Sequence, residues 1–191
     1  MTVVHHSLLV VGGARSGKSR YAIEQARQTG GSVAFLATAR VVDSDMATRI
    51  ARHRAERPAH WTTIESPVDV VAACRRAAAS HDAIVLDCAT IWVANLIERG
   101  DDDVAVLAVA DDLAKLVRER LATLVIVSNE VGEGVHPPTP LGRRFRDLLG
   151  VVNQRLAAAA DRVTLMVAGI PLSLKDAPLP TLRHDRPPEA P

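Results

Sequence analysis

Short apolar stretches alternate along this chain with longer stretches in which apolar residues recur every three or four positions. The short stretches are rich in Val, Ile and Leu, which is typical of strands buried on both faces of a parallel sheet. They predict strands at 8–11, 33–36, 83–86, 124–127 and 163–167, and the longer stretches predict helices at 18–29, 43–56, 67–79, 90–98, 104–120 and 141–160. This alternation predicts an α/β fold in which helices cover both faces of a mainly parallel central sheet.

The length of 191 residues and the hydrophobic content of 48% suit one domain with a sizeable core. We therefore predict a single catalytic domain over residues 1–175. The remaining segment, 176–191, is rich in proline, which lacks an amide donor, and contains few apolar residues that would offset the entropy lost on ordering. We expect it to be a mobile tail.

Charge and targeting signals narrow the classes of function. Lys and Arg total 23 against 22 Asp and Glu, so the net charge of +1 gives no field to attract nucleic acid. No apolar run approaches the roughly 20 residues of a membrane span, and no signal sequence opens the chain. We expect a cytoplasmic protein with no nucleic-acid partner and no membrane span, in which Cys74 and Cys88 are buried thiols.

A glycine-rich motif joins the first predicted strand to the first predicted helix. Its residues are Gly12, Gly13, Ala14, Arg15, Ser16, Gly17, Lys18 and Ser19. Glycines let backbone amides wrap phosphate oxygens, Lys18 would neutralise the outer phosphates, and the Ser19 hydroxyl would bind Mg²⁺. The motif predicts a P-loop NTPase (RecA-like) three-layer fold that binds ATP or GTP with Mg²⁺. The alternative is a turn that only joins strand to helix, and the motif does not identify the acceptor.

Asp87 ends the apolar strand 83–86, where a P-loop protein usually needs a carboxylate that holds the metal directly or through water. The alternative role is a helix cap ahead of Thr90. Ligands gather at the carboxyl ends of parallel strands, which favours the metal role. By the same reasoning, Ser128, Asn129 and Glu130, which follow another predicted strand, are expected to line this site, and the sequence assigns them no individual role.

His53 lies between two arginines in a basic helical segment. Positive neighbours favour a neutral imidazole, which is the nucleophilic form. The alternative is a solvated basic helix face, and the spacing alone does not make His53 a nucleophile. His53 is also about 15 Å from the start of its helix, so a role for it at the P-loop would require either that the helix rearranges on nucleotide binding or that the nucleotide extends toward it.

Taken in order, the motifs of residues 9–175 resemble the bifunctional adenosylcobinamide kinase and adenosylcobinamide-phosphate guanylyltransferase family of cobalamin biosynthesis. The resemblance rests on the P-loop, Asp45-Met46, Arg49-Ile50 with His53 and Arg57-Pro58, Leu86-Asp87-Cys88, Ser128-Asn129-Glu130-Val131-Gly132, Leu141-Gly142-Arg143-Arg144-Phe145-Arg146-Asp147, Asn153-Gln154-Arg155-Leu156-Ala157 and Gly169-Ile170-Pro171. So many ordered motifs make chance similarity improbable.

The resemblance implies that a nucleoside triphosphate first phosphorylates the aminopropanol hydroxyl of adenosylcobinamide. GMP from GTP then passes through a guanylyl-histidine, which falls on His53, to give adenosylcobinamide-GDP. The family also implies a homotrimer. It places nucleotide contacts on the P-loop and on Ala37, Thr38, Ala39, Arg54, Ala55, Glu56, Arg57, Glu65 and Asp87.

Glu65 would favour guanine by accepting hydrogen bonds from its N1 and N2 donors, and the alternative is an ordinary carboxylate at a strand end. Two other functions remain open from the residues alone. One is a P-loop small-molecule kinase without guanylyl transfer, in which His53 takes no part. The other is a nucleotide-binding regulator, although the lack of an N-K-x-D motif argues against a G-protein switch.

Overall fold

The computed structural model describes residues 5–40, 44–55 and 57–176, which form one seven-stranded sheet with six helices. The strands are β1 Ser7–Gly12, β2 Val33–Ala37, β3 Thr62–Glu65, β4 Ala83–Asp87, β5 Thr123–Val127, β6 Arg162–Val167 and β7 Ile170–Lys175. The helices are α1 Lys18–Arg27, α2 Ser44–Ala55, α3 Val70–Ala78, α4 Ala89–Arg99, α5 Asp103–Glu119 and α6 Pro140–Ala159. All five predicted strands and all six predicted helices are present.

The sheet has the order β3-β2-β4-β5-β1-β6-β7, and every neighbouring pair is parallel except β6 and β7. The central strands β4, β5 and β1 are buried because helices cover both faces of the sheet. The predicted α/β, mainly parallel fold is therefore confirmed. The carboxyl ends of β4, β5 and β1 meet at one edge of the sheet, which is where parallel α/β proteins bind ligands.

Two apolar clusters hold the three layers together. On one face, α3, α4, α5 and α6 pack against the sheet around Trp92, Leu113 and Leu149, which are at most 1% exposed. On the other face, α1 packs around Ala22 and Phe35. The apolar residues of α1, α3, α4, α5 and α6 recur with the helical period, so each of these helices buries one stripe against the sheet.

Strands β3 and β7 were not predicted. β3 is short and largely exposed at one edge, and it pairs only with β2. β7 contains Pro171 and turns back along β6 through Ala168 and Gly169, whose φ angles of 51° and 84° are those of a tight hairpin turn. Prolines occur on edge strands because they remove only a donor that faces solvent.

Lys175 ends β7 and is 6% exposed. Its Nζ atom donates hydrogen bonds to the carbonyl oxygens of Ala157, Ala158 and Ala160 at distances of 2.9, 3.3 and 2.5 Å. Carbonyls at the end of a helix have no partners within the helix and attract positive charge. Lys175 therefore fastens the edge strand to the C-terminal end of α6.

Several predicted boundaries shift. The third helix begins at Val70 instead of residue 67, since Asn95 and Trp92 bind the carbonyls of Pro67 and Val68 in a non-helical approach. The predicted ends of the second helix at 43 and 56, and the predicted tail from residue 177 onward, lie outside the described residues. Among the residues that the structure describes, no helix is both long and apolar enough to cross a bilayer.

Candidate functional site: a P-loop pocket at the carboxyl edge of the sheet

The glycine-rich segment forms the turn between β1 and α1. Gly12 has a φ angle of 148°, and a Cβ atom there would lie 2.5 Å from the carbonyl oxygen of Met166. Gly17, with a φ angle of 95°, precedes the first residue of α1. Both positions require glycine because of their backbone conformation, and the result is a narrow loop whose amides and helix start face the same cavity.

Two polar side chains of this loop face inward. The Oγ atom of Ser16 is buried and has no hydrogen-bond partner among the described residues. The Nζ atom of Lys18 donates a 2.6 Å hydrogen bond to the carbonyl oxygen of Gly13, so the ammonium group lies over the loop. An orphaned hydroxyl beside a lysine in a glycine-rich loop fits an anionic ligand that accepts hydrogen bonds.

The loop is held from two sides by backbone hydrogen bonds. The amide of Gly169, in the β6–β7 turn, donates to the carbonyl of Ser16 at 3.0 Å. On the other side, the amide of Glu130 donates to the carbonyl of Gly12, also at 3.0 Å. The loop conformation is therefore supported by segments from the second half of the chain.

Asp87 ends β4 beside this loop, and 14% of its side chain is exposed. Burial raises the pKa of its carboxyl above the ordinary value, although a hydrogen bond from Ser19 and the positive charges of Arg57 and Lys18 oppose that change. The Ser19 hydroxyl and the Asp87 carboxylate thus lie together, as the sequence predicted for a metal-binding pair.

The backbone after Asp87 is fixed by Thr38. The peptide bond between Asp87 and Cys88 is cis. The Thr38 hydroxyl donates to the Cys88 carbonyl at 2.9 Å and accepts from the Cys88 amide at 2.8 Å. Thr38 is 0% exposed. Its side chain therefore binds the backbone that carries Asp87 instead of lining the pocket.

His53 faces the same carboxylate from the opposite wall. Its Nδ1 atom lies 3.9 Å from Oδ2 of Asp87, which is an ion-pair distance and too long for a hydrogen bond. The sequence placed His53 about three turns into its helix. In the structure, α2 positions His53 beside Asp87 at the carboxyl end of the sheet. The sequence indicates the neighbouring arginines of His53 but not this carboxylate, because His53 and Asp87 are far apart along the chain.

Two arginines complete the wall around His53. The guanidinium carbon of Arg57 lies 3.6 Å from the centre of the Phe35 ring, a stacking contact that holds the group in one plane. Its Nε atom is buried without a hydrogen-bond partner among the described residues. Arg54 donates a 2.7 Å hydrogen bond to Oε1 of Glu65, and both side chains are largely exposed.

A cavity of about 1350 Å³ joins these features. The predicted residues that line it are Ala14, Arg15, Ser16, Gly17, Lys18, Ser19, Ala37, Ala39, His53, Arg54, Arg57, Glu65, Asp87 and Asn129. Gly12, Gly13, Thr38, Ala55, Ser128 and Glu130 are not among its lining residues, and Glu56 lies outside the described residues. The cavity volume is larger than that of most pockets for a single small ligand.

Other lining residues were not singled out from the sequence. They include Arg20, Glu24 and Arg27 on α1, Ile91 on α4, and Ala168 and Gly169 in the β6–β7 turn. The α1 side chains recur at the helical period after the P-loop, which could have indicated that one face of α1 continues the pocket. The β6–β7 turn had no such signal, since its approach depends on the antiparallel pairing of β7.

Hydroxyl and carboxylate oxygens are ligands that Mg²⁺ prefers, and Ser19 with Asp87 supplies them. No cluster of three or more His, Cys, Asp or Glu side chains suited to a metal occurs in residues 5–40, 44–55 and 57–176. Mg²⁺ usually binds through one or two protein groups together with phosphates and water. The two oxygens beside the P-loop therefore fit this ion.

The fold and the pocket define this chain as a P-loop nucleotide-binding α/β protein. Solved structures agree on the fold. An ATPase from the type III secretion system of pathogenic bacteria has a TM-score of 0.55 at 13% identity, over 88% of this chain and 56% of that one. The P4 protein of bacteriophage phi6 in complex with ADP has a TM-score of 0.50 at 14% identity, over 90% of this chain and 56% of that one.

The chain belongs to the cobinamide kinase / cobinamide phosphate guanyltransferase family, whose model matches residues 8–174. It is 42% identical over 171 residues to the bifunctional adenosylcobalamin biosynthesis protein CobP of Pseudomonas aeruginosa, covering 90% of this chain and 98% of that one. It is 42% identical over 180 residues to the bifunctional adenosylcobalamin biosynthesis protein CobU of Salmonella typhimurium, covering 88% and 99%. The predicted family and enzyme class are confirmed.

Proposed function

We propose that this enzyme phosphorylates adenosylcobinamide and then converts the product to adenosylcobinamide-GDP. The observation that carries the proposal is the approach of His53 to Asp87 within the P-loop pocket. A phosphate-binding loop alone would suit any P-loop kinase. A histidine in the same cavity supplies the nucleophile that a guanylyl transfer through the protein requires.

In the first reaction, the aminopropanol hydroxyl attacks the terminal phosphorus of a nucleoside triphosphate. A new phosphorus–oxygen bond forms, the bond to the bridging oxygen breaks, and the nucleoside diphosphate leaves with the charge of that oxygen. The hydroxyl proton passes to solvent. The loop amides and Lys18 bind the phosphates, and Lys18 offsets the charge on the departing group.

In the second reaction, the imidazole of His53 attacks the α-phosphorus of GTP. A phosphorus–nitrogen bond forms and pyrophosphate leaves, which produces a guanylyl-histidine. A phosphate oxygen of adenosylcobinamide phosphate then attacks the same phosphorus, releases the histidine and gives adenosylcobinamide-GDP. The intermediate preserves the activated phosphate between the two displacements.

Mg²⁺ is the cofactor we propose, and Ser19 and Asp87 would hold it directly or through water, where it would offset phosphate charge during transfer. Arg57 is held against Phe35 and would bind phosphate oxygens through its free Nε–H. Glu65 is paired with Arg54 at the mouth of the cavity, where it would accept hydrogen bonds from guanine.

For the other residues predicted to contact the nucleotide, we propose either a direct contact or a role in shaping the backbone. Ala37 and Ala39 line the cavity and would contact the nucleotide directly. Thr38 would act by holding the Asp87–Cys88 backbone. Gly12 and Gly13 shape the loop, while Ala55 and Glu56 follow His53 along the chain.

We also propose a homotrimer, as the resemblance implies. An exposed apolar strip supports self-association. It consists of Val167, Ile170, Leu172 and Leu174, which are 54–68% exposed and lie on the β6–β7 hairpin. Apolar strips of this kind on an edge hairpin often mark contacts between proteins. Light scattering on wild type and on Leu172→Lys would test whether the strip joins subunits.

The test of the proposed chemistry is intact-mass analysis and peptide mapping after incubation with Mg²⁺ and GTP. We expect an acid-labile GMP adduct on His53 that is absent from His53→Ala and is discharged by adenosylcobinamide phosphate. Phosphorylation of adenosylcobinamide is measured separately with ATP and with GTP. A folded, GTP-binding protein that forms no adduct would exclude His53 as the nucleophile.

The same experiment separates the two alternatives. A kinase without guanylyl transfer would phosphorylate a small hydroxylated metabolite equally well in wild type and His53→Ala. A nucleotide-binding regulator would turn over slowly and would not respond to cobinamide.

A further inference from the structure

Asn129 follows β5, the strand that lies between the two parts of the phosphate site. On one side, Val127 of β5 pairs with Asp87 of β4, and on the other it pairs with Val10 of β1, the strand that leads to the P-loop. Asn129 lies two residues beyond Val127, and both line the cavity. Its side chain is therefore located between the phosphate-binding loop and the metal-binding carboxylate.

The backbone of Asn129 is held on both sides by other polar groups. Its amide donates a 2.6 Å hydrogen bond to Oγ1 of Thr90, and its carbonyl accepts a 3.0 Å hydrogen bond from Nδ2 of Asn153. Asn153 is itself oriented by Ser128, whose hydroxyl donates to Oδ1 at 2.6 Å. Burying polar groups costs free energy unless they are paired, so this network fixes one conformation of the segment.

The carboxamide of Asn129 takes no part in the network. None of its hydrogen bonds within the described residues involves the side chain, and the residue is only half-buried. The network therefore holds the backbone of a residue that lines the cavity, while the two N–H donors and the oxygen of its side chain take part in none of these hydrogen bonds. Thr90, Ser128 and Asn153 are all at most 8% exposed, so this arrangement is part of the core.

We propose that the Asn129 side chain binds the terminal phosphate of the nucleoside triphosphate by donating a hydrogen bond from Nδ2 to a phosphate oxygen. The argument rests on the proposed function, because it takes the P-loop ligand to be a triphosphate. A terminal phosphate held by Lys18 and by a metal on Asp87 would lie close to the end of β5, where Asn129 lines the cavity. Nδ2 is a neutral donor, so it adds a hydrogen bond without adding charge. Because that hydrogen bond is made to the terminal phosphate, it distinguishes a nucleoside triphosphate from a diphosphate.

The test is a calorimetric measurement of the binding of two probes in the presence of Mg²⁺. The probes are GDP and the β,γ-imido analogue of GTP, whose bond between the β- and γ-phosphates resists hydrolysis. Asn129→Ala removes the carboxamide but keeps the backbone hydrogen bonds that fix the segment. We expect this variant to bind the analogue about tenfold more weakly, with GDP affinity changed by less than about twofold. Asn129→Asp, which replaces the donor with a negative charge, is expected to lose considerably more affinity for the analogue.

Glu130→Ala is the matched control, because the Glu130 carboxylate binds the nearby amide of Gly132 and does not line the cavity. It should leave both affinities unchanged. Equal binding of the analogue by Asn129→Ala and wild type, or equal weakening of both probes, would overturn the assignment. Wild type that binds GDP and the analogue but forms no GMP adduct would instead count against the proposed guanylyl transfer. The role of Asn129 would still be decided by comparing the ratio of analogue affinity to GDP affinity in Asn129→Ala and in wild type.

Discussion

Replacing Thr38 with valine tests whether this side chain supports Asp87 through the backbone. Valine has nearly the same shape as threonine but lacks the hydroxyl, which binds both the amide and the carbonyl of Cys88. Because Thr38 is 0% exposed, water cannot replace these two hydrogen bonds. The substitution would leave one buried donor and one buried acceptor without partners.

The expected loss of stability follows from those two groups. Each buried polar group left unpaired costs about 1–3 kcal/mol, and relaxation of the segment recovers part of the sum, so we expect Thr38→Val to lower the free energy of unfolding by about 2–4 kcal/mol. Thr38→Ser keeps the hydroxyl and removes one buried methyl group, which costs about 1 kcal/mol. The serine variant should therefore be the more stable of the two.

Urea unfolding followed by circular dichroism measures the difference. With a slope near 3 kcal/mol per molar urea, the valine variant should unfold at about 1 M lower urea than wild type, with an unchanged slope. A valine variant that is as stable as the serine variant would refute the reasoning, because it would mean that the hydroxyl does not hold Cys88. In that case a direct contact between Thr38 and the nucleotide would become the better explanation of its place in the motif.

Three further predictions concern the rest of the described chain. Lys175→Met should lower the free energy of unfolding by about 2 kcal/mol, since three carbonyls lose their donor, and a urea midpoint equal to that of wild type would contradict this role. Hydrogen bonds from Ser7 and Arg120 hold the pKa of Asp161 below its ordinary value, even though burial acts to raise it. The stability that the Asp161 carboxylate contributes is thus present above about pH 4 and is lost as the pH falls through its lowered pKa. The difference in unfolding free energy between wild type and Asp161→Asn should therefore shrink in acid, and a difference that stays constant with pH would contradict this. Burial raises the pKa of Cys74 to about 12 and that of Cys88 to about 11, so iodoacetamide at about pH 8 should label neither thiol until urea is added, and rapid labelling of the folded protein would contradict their burial.

The features that were predictable from the sequence are those determined within a short stretch of chain. The P-loop was recognisable because its glycines, Lys18 and Ser19 lie together between an apolar strand and a helix. Asp87 was recognisable because it ends such a strand. The five inner strands were evident from their continuous apolar runs.

The remaining features depend on contacts between distant residues. The edge strands β3 and β7 lack a continuous apolar run, since one face or both remain in contact with solvent. The approach of His53 to Asp87 depends on the path of α2 across the sheet. The inward orientation of Thr38 depends on β4 lying beside β2, and no pattern within residues 37–39 distinguishes a side chain that faces the pocket from one that faces the backbone.

The position of β1 in the sheet also constrains how the chain reaches its folded state during synthesis. β1 leaves the ribosome well before both of its neighbours, β5 and β6, which lie more than 100 residues later in the chain. Its six residues are apolar or small and have no partner strand until β5 has been made, and such long-range pairings form slowly. Because the Gly169 amide binds the Ser16 carbonyl, the phosphate loop cannot take its supported shape before the β6–β7 turn has been synthesised. The nascent chain should therefore gain nucleotide affinity only after that turn has been made, and the unpaired strand β1 is the segment that a chaperone would protect until then.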